Sequence, residues 1–178
     1  IDKLRREIAS KTEKNVVEEV AYTWFNRVMA LRFMDANGYN APMIISPAAG
    51  QTRPEILQDA MGGTIDDELK LLDEDKLLPE AKLYHRLLIA VCNHNNSSMP
   101  FLFERTHDET ELLLPDNLLH TDSPLRRLVS EIDEADWNDV EIVGWLYQFY
   151  ISEKKDAVIG KVVKSQDIPA ATQLFTPN

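Results

Sequence analysis

Apolar residues recur at three- and four-residue spacing along most of this chain, and strict alternation of apolar and polar residues is nearly absent. The first spacing places side chains on one face of a helix, whereas alternation is typical of strands. The clearest case is the stretch 15–37, which we predict to be a long helix central to the core. Its predicted apolar face comprises Val17, Val20, Ala21, Trp24, Val28 and Leu31, widened by Phe25, Met29 and Phe33. The chain is therefore predicted to be all-α or nearly so.

Local signals set the ends of this helix. Asn15 followed by Glu18 is similar to a capping box, in which two side chains satisfy backbone donors at a helix start. Gly38 can take the left-handed conformation that ends helices. Further helices are predicted from Pro54 through Ala60, over 66–75, from Pro79 to about Asn93, from Ser123-Pro124 through Ile132, after Asp136, and over 152–159.

Two of these helices have a predicted buried face. The helix that follows Pro79 should bury Leu83, Tyr84, Leu87, Leu88, Val91 and Cys92. The helix capped by Asp136 should bury a stripe formed by Val140, Val143, Gly144, Tyr147 and Tyr150. Between them, 99–123 is ambiguous, and Phe101-Leu102-Phe103 is interpreted as a strand-like stretch packed on the helices. The architecture expected is a helical, bundle-like domain with an irregular middle segment and an extended C-terminal tail.

Composition limits the classes of protein to consider. The 178 residues are 44% hydrophobic and 28% charged, which is typical of a folded globular domain. One cysteine, Cys92, excludes a disulfide framework and fits a reducing compartment, so a cytoplasmic location is expected. No apolar run approaches the ~20 residues of a membrane helix, so no membrane partner is expected.

The charge is acidic and unevenly distributed. Nineteen basic and 30 acidic residues give a net charge of −11, which argues against simple electrostatic binding of nucleic acid. Residues 104–141 contain twelve acidic and three basic side chains, whereas 1–40 contain seven basic and six acidic ones. Residues 153–178 contain four basic and three acidic side chains. The two ends can therefore face an anionic partner, and the middle cannot.

Motifs for catalysis are weak. Cys92-x-His94 is too small a ligand set for zinc, which needs three or four ligands, so no metal site is expected. Pro115-Asp116 with Glu153-x-Lys155 matches the sparse pattern of metal-dependent nucleases, but that chemistry needs the last pair on a strand and here it begins a helix-like stretch. No phosphate loop, dinucleotide fingerprint or serine elbow is present in the sequence. The residues alone indicate a helical module without an active site, with a nuclease as the less favoured alternative.

Three long stretches nevertheless resemble one family. They are Glu18–Arg27 with its continuation to Tyr39, Gly144–Asp156 (GWLYQFYISEKKD) and Ile168–Pro177 (IPAATQLFTP). In this order they resemble the N-terminal region of the large adenine-specific DNA methyltransferases of bacterial phage-exclusion (BREX, PglX-type) and type II restriction-modification systems. The resemblance implies a parent enzyme that transfers a methyl group from S-adenosylmethionine to adenine N6 in double-stranded DNA. The adenine must leave the duplex for this reaction.

The resemblance also implies an organisation. Residues 1–160 would be a helical N-terminal domain, and 161–178 would be a linker into the catalytic domain. Phe175, Thr176 and Pro177 would lie near the cofactor in the intact enzyme only. The cofactor loop and the motif that holds the flipped adenine would lie beyond Asn178, so the fragment alone is expected to be inactive and to bind no cofactor.

Four basic residues are candidate contacts for DNA, for the enzyme's own catalytic domain or for other subunits of the defence system. Lys154 and Lys155 lie in the more basic C-terminal stretch. Arg27 and Arg32 lie partly outside the predicted apolar face, where they can meet phosphate or pair with nearby carboxylates. We favour ion pairs for the two arginines, with Glu18, Glu19 or Asp35 as the candidate partners. A stand-alone protein-interaction module is the alternative function.

Overall fold

The computed structural model describes residues 2–10, 13–65, 69, 71, 74–104 and 113–150. The α-helices within these ranges are α1 (Asp2–Ser10), α2 (Glu13–Ala36), α3 (Glu55–Gly62), α4 (Glu80–Asn95), α5 (Pro124–Glu131) and α6 (Glu141–Tyr150). Short 3-10 turns occupy Asp75–Leu77 and Glu134–Asn138. Over the same ranges no strand forms, and β-type pairing is limited to one antiparallel bridge between Pro47 and Pro54. The all-α prediction is confirmed.

Helix α2 separates two hydrophobic cores. The large core lies between α2, the loop at 44–45, α3 and α4, and includes Trp24 and Leu31 from α2. The small core lies on another side of α2, where Met29 packs with Trp137 and Ile142. Because α2 buries side chains on both sides, it has no single apolar stripe. None of the helices in the described ranges is long and apolar enough to cross a membrane.

The long predicted helix is confirmed with a shifted start. It begins at Glu13, so Asn15 and Glu18 lie inside the first turns and are not its cap. It ends before Gly38, whose φ of 69° is left-handed as predicted. The predicted face is wrong at Val17 and Ala21, which are exposed.

The reason for the error is a charged residue within the buried line. That line runs through Val16, Val20, Trp24, Arg27 and Leu31 at helical spacing. Including Arg27 rotates the buried face of α2 away from Val17 and Ala21. A face chosen from apolar residues alone therefore points in the wrong direction in the first turns.

The helices α3, α4 and α5 agree with the sequence. Pro54 and Pro79 directly precede α3 and α4, and Gly63, with φ of 77°, ends α3. All six side chains predicted to face inward from α4 are buried. Ser123 caps α5 as predicted, because its Oγ accepts a hydrogen bond from the Arg126 backbone N–H at 3.2 Å.

The segment around Phe101 is a turn and not a strand. The backbone N–H groups of Leu102 and Phe103 both donate to the carbonyl oxygen of Met99, at 3.2 and 2.9 Å. These short-range bonds fold the chain back, so Phe103 is fully buried while Phe101 is fully exposed. The predicted strand-like stretch is therefore wrong, because local turn bonds replace any pairing with another segment.

The start and face of α6 also differ from the prediction. Asp136 lies inside the 3-10 turn, and Asp139 caps α6 by accepting from the Glu141 N–H at 2.9 Å. Among the α6 side chains that the structure describes, Ile142 is buried, and Val140, directly before the helix, is 67% exposed. The inner face instead consists of Ile142, Val143 and Leu146, which pack in the small core. The side chains of Tyr147 and Tyr150, and the predicted helix at 152–159, lie outside the described residues, as does most of 66–75.

Candidate functional site

Three charged side chains of α2 are buried. Arg27 is 2%, Arg32 is 0% and Asp35 is 4% exposed. A buried charge is unfavourable unless it is paired and hydrogen-bonded. The partners of these residues therefore define the most specific arrangement in the described part of the chain. We refer to Arg32, Asp35, Asn40, Ser46 and Glu134 as the polar cluster.

The Asp35 carboxylate is enclosed by the loop that follows α2. Its Oδ1 accepts from the backbone N–H of Ile44 at 2.9 Å and from the Asn40 amide at 2.7 Å. Its Oδ2 accepts from the N–H groups of Ile45 at 2.7 Å and Ser46 at 2.9 Å. A carboxylate has about four lone-pair sites, and all are used. Asp35 is thus a structural anion whose role is to shape this loop.

Arg32 joins the loop to a distant part of the chain. Its Nη1 donates to Ser46 Oγ at 3.1 Å and to Glu134 Oε1 at 3.2 Å, and its Nη2 donates to Glu134 Oε2. The guanidinium carbon lies 5.1 Å from the centre of the Trp137 ring, within range of a cation–π contact. Ser46 contacts both Asp35 and Arg32, since its N–H donates to Asp35 and its hydroxyl accepts from Arg32.

Glu134 lies at the edge of the polar cluster. Its side chain is 66% exposed, whereas that of Arg32 is 1% exposed. The hydrogen bond from Arg32 lowers the pKa of Glu134, against an opposing contribution from partial burial. A second link comes from the Asn37 amide, which donates to the Trp137 carbonyl oxygen at 2.9 Å. The turn Glu134–Asn138 is therefore held to α2 by both side-chain and backbone contacts.

Arg27 performs a similar task in the large core. It donates to the carbonyl oxygen of Glu104 and lies 5.3 Å above the Trp24 ring. Burial lowers the pKa of Arg27, while nearby Cys92 and Glu104 oppose that change. Burial also raises the pKa of the Cys92 thiol to about 12, although Arg27 opposes this. The thiol is protonated at neutral pH and is not an activated nucleophile.

Tyr84 connects α4 to the same loop. Its hydroxyl donates to the Ile44 carbonyl oxygen at 3.0 Å. Burial raises the pKa of Tyr84 well above the ordinary range for a phenol, and the charge of Asp35 adds to the effect. The phenol therefore remains a hydrogen-bond donor. The buried polar groups near α2 stabilise a fold and present no free acid, base or nucleophile.

The sequence-predicted site residues have different outcomes. Arg32 does form an ion pair, but the partner is Glu134, 102 residues further along the chain, and not one of the three predicted carboxylates. Contact of Arg27 or Arg32 with DNA or a partner stays a prediction, and their burial means that a phosphate would reach them only if neighbouring groups moved. The candidate contacts Lys154 and Lys155, and the cofactor-proximal Phe175, Thr176 and Pro177, lie outside the described residues.

Two further candidate sites from the sequence are the nuclease-like pattern and the pair Cys92-x-His94. Asp116 of the nuclease-like pattern lies exposed in a turn, while Glu153 and Lys155 lie outside the described residues. Cys92 is fully buried and His94 is exposed, so the two side chains occupy different environments. Across the ranges that the structure describes, no group of three or more His, Cys, Asp or Glu residues could hold a metal ion.

Sequence reasoning missed the polar cluster, although a signal was present. Between Trp24 and Ala36, the charged residues are Arg27, Arg32 and Asp35, and most of their helical neighbours are apolar. A charge whose neighbours at three and four residues are apolar must share their environment. That pattern indicates buried charges. It does not identify Glu134 or the backbone donors of the loop, because those lie elsewhere in the chain.

Two curated proteins are similar to this chain, and no protein-family model matches it. Adenine-specific methyltransferase BrxX of Escherichia coli O9:H4 (strain HS) is 53% identical over 170 residues. Adenine-specific methyltransferase PglX of Lacticaseibacillus casei (strain Zhang) is 39% identical over 183 residues. Each match covers 92% of this chain, but the chain spans only 14% and 15% of the length of these relatives.

Proposed function

The chain is a segment of the BrxX and PglX type of adenine-specific methyltransferase, and from this premise we propose that it serves a parent enzyme as its helical N-terminal domain. In this proposal residues 1–160 form the domain and 161–178 lead into the catalytic domain. The parent transfers a methyl group from S-adenosylmethionine to adenine N6 in double-stranded DNA, for restriction-modification or phage defence. The 53% identity over 92% of the chain is the observation that carries the proposal.

The geometry supports a positioning role for this segment. The buried arginines and Asp35 are engaged in internal contacts, and the Cys92 thiol is protonated, so these groups serve the fold. The polar cluster instead fixes the turn before α6 against α2. A domain built in this way can hold the catalytic domain, DNA or a partner subunit in a defined orientation, while Phe175, Thr176 and Pro177 would approach the cofactor only in the intact enzyme.

A segment exchange tests this proposal. This chain would replace the matching 170 residues of the Escherichia coli BrxX protein, and adenine methylation of DNA would be measured in cells that carry the hybrid. We expect methylation to be retained at a tenth or more of the BrxX level. A hybrid that is soluble and folded but leaves adenine unmethylated would contradict the proposal.

Two variants of the hybrid separate positioning from DNA contact. Asp35→Ala should reduce methylation in step with the stability of the domain, because four hydrogen-bond donors around the loop lose their acceptor. Lys154→Glu with Lys155→Glu should keep the fold and weaken DNA binding most at low salt, since phosphate contacts depend on salt. Lys14→Glu with Lys82→Glu, at exposed sites on α2 and α4, is the control of equal charge change.

A stand-alone protein-interaction module is the second candidate. The observation that favours it is the group of exposed large apolar side chains, among them the fully exposed Phe101 and the half-exposed Trp145. This function predicts concentration-dependent association of the isolated chain in sedimentation, weakened by Phe101→Ser. A monomer at all concentrations, combined with an active hybrid, would favour the methyltransferase domain.

A further inference from the structure

The loop 47–54, between α2 and α3, is exposed at its tip and firmly held at its base. Residues 49–53 are all exposed. Pro47 and Pro54 close the base by forming an antiparallel bridge. Ser46, directly before the loop, is hydrogen-bonded to the two buried charges of the polar cluster. A loop that is fixed in this way presents its exposed groups in a defined arrangement, as binding loops on rigid scaffolds do.

Arg126 of α5 extends over this loop. Its Nη1 donates to the Thr52 carbonyl oxygen, which places the guanidinium against the loop. Most of the N–H donors of a guanidinium are not used by such a bond. Within the described ranges no carboxylate forms an ion pair with Arg126, whereas Arg127, the next residue, pairs with Glu131 at 2.8 Å. Arg126 is thus an oriented positive charge that this part of the chain does not neutralise.

The charge around the loop differs from that of the whole chain. The stretch 36–54 contains one charged residue, Arg53, and no acidic residue. The carboxylate of Glu55, directly after the loop, accepts from the Met43 backbone N–H at 2.8 Å. Although Arg126 belongs to an acidic part of the sequence, the fold therefore places its guanidinium beside a stretch without acidic residues.

Arg53 is a second cation at this loop. It pairs with Glu80 at 2.9 Å, and the two side chains are 53% and 39% exposed. An ion pair that is open to solvent contributes little to stability. Arg53 can therefore exchange this carboxylate for another anion while the loop keeps its path.

We propose that the loop 47–54 and Arg126 bind phosphate groups of the DNA backbone. Gln51 and Thr52 are exposed and supply neutral donors beside the two arginines. Arginine, glutamine and threonine side chains are among the donors that proteins direct at DNA phosphates. Gly50, with φ of 77°, adds no side chain at the tip, so a phosphate can approach the backbone closely. The inference rests on the proposed function, because that function supplies DNA as the partner.

The salt dependence of DNA binding by the intact parent enzyme tests the proposal. Fluorescence anisotropy with two labelled duplexes of unrelated sequence gives the slope of log affinity against log salt concentration. Arg126→Gln keeps a donor for the Thr52 carbonyl oxygen but removes the charge, so it should reduce the slope by about 0.9 on both duplexes, the value for one phosphate contact. Arg126→Lys should restore the slope. Arg127→Gln is the matched control and should leave the slope unchanged, because Glu131 already neutralises Arg127.

Gln51→Glu is a second variant, at an exposed site, which leaves Arg126 in place. The added negative charge should weaken DNA binding about threefold or more at low salt and leave the melting temperature unchanged. Adenine methylation is measured in the same preparations, so that the loop and the proposed function are tested separately.

The outcomes are distinguishable. An unchanged slope for Arg126→Gln, in an enzyme that methylates adenine, would overturn the phosphate contacts and leave the proposed function intact. Equal losses for Arg126→Gln and Arg127→Gln would reveal an effect of overall charge and would also overturn them. A lower slope for Arg126→Gln alone, in a parent that leaves adenine unmethylated, would support the phosphate contacts and contradict the proposed function.

Discussion

The large and small cores on the two sides of α2 are stabilised in different ways. The large core combines many buried side chains from α2, α3 and α4, and Arg27 is its main buried charge. Among the described side chains, the small core has three buried hydrophobic residues, Met29, Trp137 and Ile142. Its attachment to α2 includes the Arg32–Glu134 ion pair and the hydrogen bond from Asn37 to the Trp137 carbonyl oxygen.

The comparison shows why the charges of α2 lie where they do. Hydrophobic stabilisation grows with the apolar area removed from water, so a large core is stabilised mainly by apolar contacts and less by hydrogen bonds or ion pairs. Three buried apolar residues contribute less, and oriented polar contacts then determine where the turn Glu134–Asn138 sits. The polar cluster lies at the junction between the two cores. Asp35 accepts from the N–H groups of Ile44 and Ile45, which belong to the large core, while Arg32 contacts the ring of Trp137 in the small core.

The largest effect is expected at Asp35. The change Asp35→Ala leaves three backbone N–H groups and the Asn40 amide without their acceptor and should reduce the free energy of unfolding by about 4 kcal/mol. Urea unfolding followed by circular dichroism measures this loss. Asp122→Ala, at an exposed site, is the control and should change stability by less than about 0.5 kcal/mol. A loss below 1 kcal/mol for Asp35→Ala would show that the loop is held by other contacts.

The two cores should respond differently to truncation. Leu88→Ala, in the large core, should reduce the free energy of unfolding by about 3 kcal/mol. It should also raise the rate of amide hydrogen exchange throughout the described helices. Met29→Ala, in the small core, should raise exchange mainly in α6 and the turn before it, because those elements can open without the large core. Native-state hydrogen exchange by mass spectrometry distinguishes the two patterns. Identical patterns would mean that the two cores form one cooperative unit.

The Arg32–Glu134 pair should make the small core sensitive to acid. The pKa of Glu134 is lowered in the folded state, so its contribution is present above the unfolded pKa near 4.5 and is lost as the pH falls through the folded pKa. Glu134→Gln should reduce the free energy of unfolding by about 1.5 kcal/mol at pH 7, because Arg32 is buried, although solvent screens the largely exposed Glu134 side chain. Urea unfolding of both proteins at pH 7 and pH 3 is the measurement. The difference in free energy of unfolding between the wild type and Glu134→Gln should be smaller at pH 3 than at pH 7. A difference that does not change with pH would argue against the ion pair.

The smallest effect is expected at the cap of α5. Ser123 is fully buried, accepts from the Arg126 N–H and donates to the Leu118 carbonyl oxygen at 2.7 Å. Ser123→Ala should reduce the free energy of unfolding by about 1 kcal/mol, with the loss of one cap. Ser98→Ala, at an exposed turn, is the matched control and should be nearly neutral. An effect above 3 kcal/mol would show that α5 contributes more to the large core than its single buried residue, Leu125, suggests.

How far the sequence predicts this fold depends on the element. The buried face of α4 follows from the sequence because that helix has apolar residues on one side and polar residues on the other. The buried face of α2 does not, since the helix contacts two cores and Arg27 stands in its buried line. The start of α6 is misplaced because Asp136 and Asp139 are both suitable caps, and only the intervening 3-10 turn selects the second.

The candidate site is less predictable than the fold. Neighbour rules along a helix suggest carboxylates within four residues of Arg32, but the structure supplies Glu134 from far along the chain. The donors to Asp35 are mainly backbone N–H groups, which every residue except proline carries and which no side-chain pattern reveals. Such partners become known only once the path of the loop is known.

The separation of the two partners of Arg32 has a consequence for synthesis on the ribosome. Ser46 follows Arg32 by 14 residues, whereas Glu134 follows it by 102. At roughly 5 to 20 residues per second, Glu134 is added roughly 4 to 18 s after Ser46. The loop around Asp35 can close early, but the Arg32 guanidinium can pair with the Glu134 carboxylate only after Glu134 has been synthesised. A nascent chain therefore carries an incompletely neutralised cation through most of its elongation, and it completes this junction only when the last third of the domain is made.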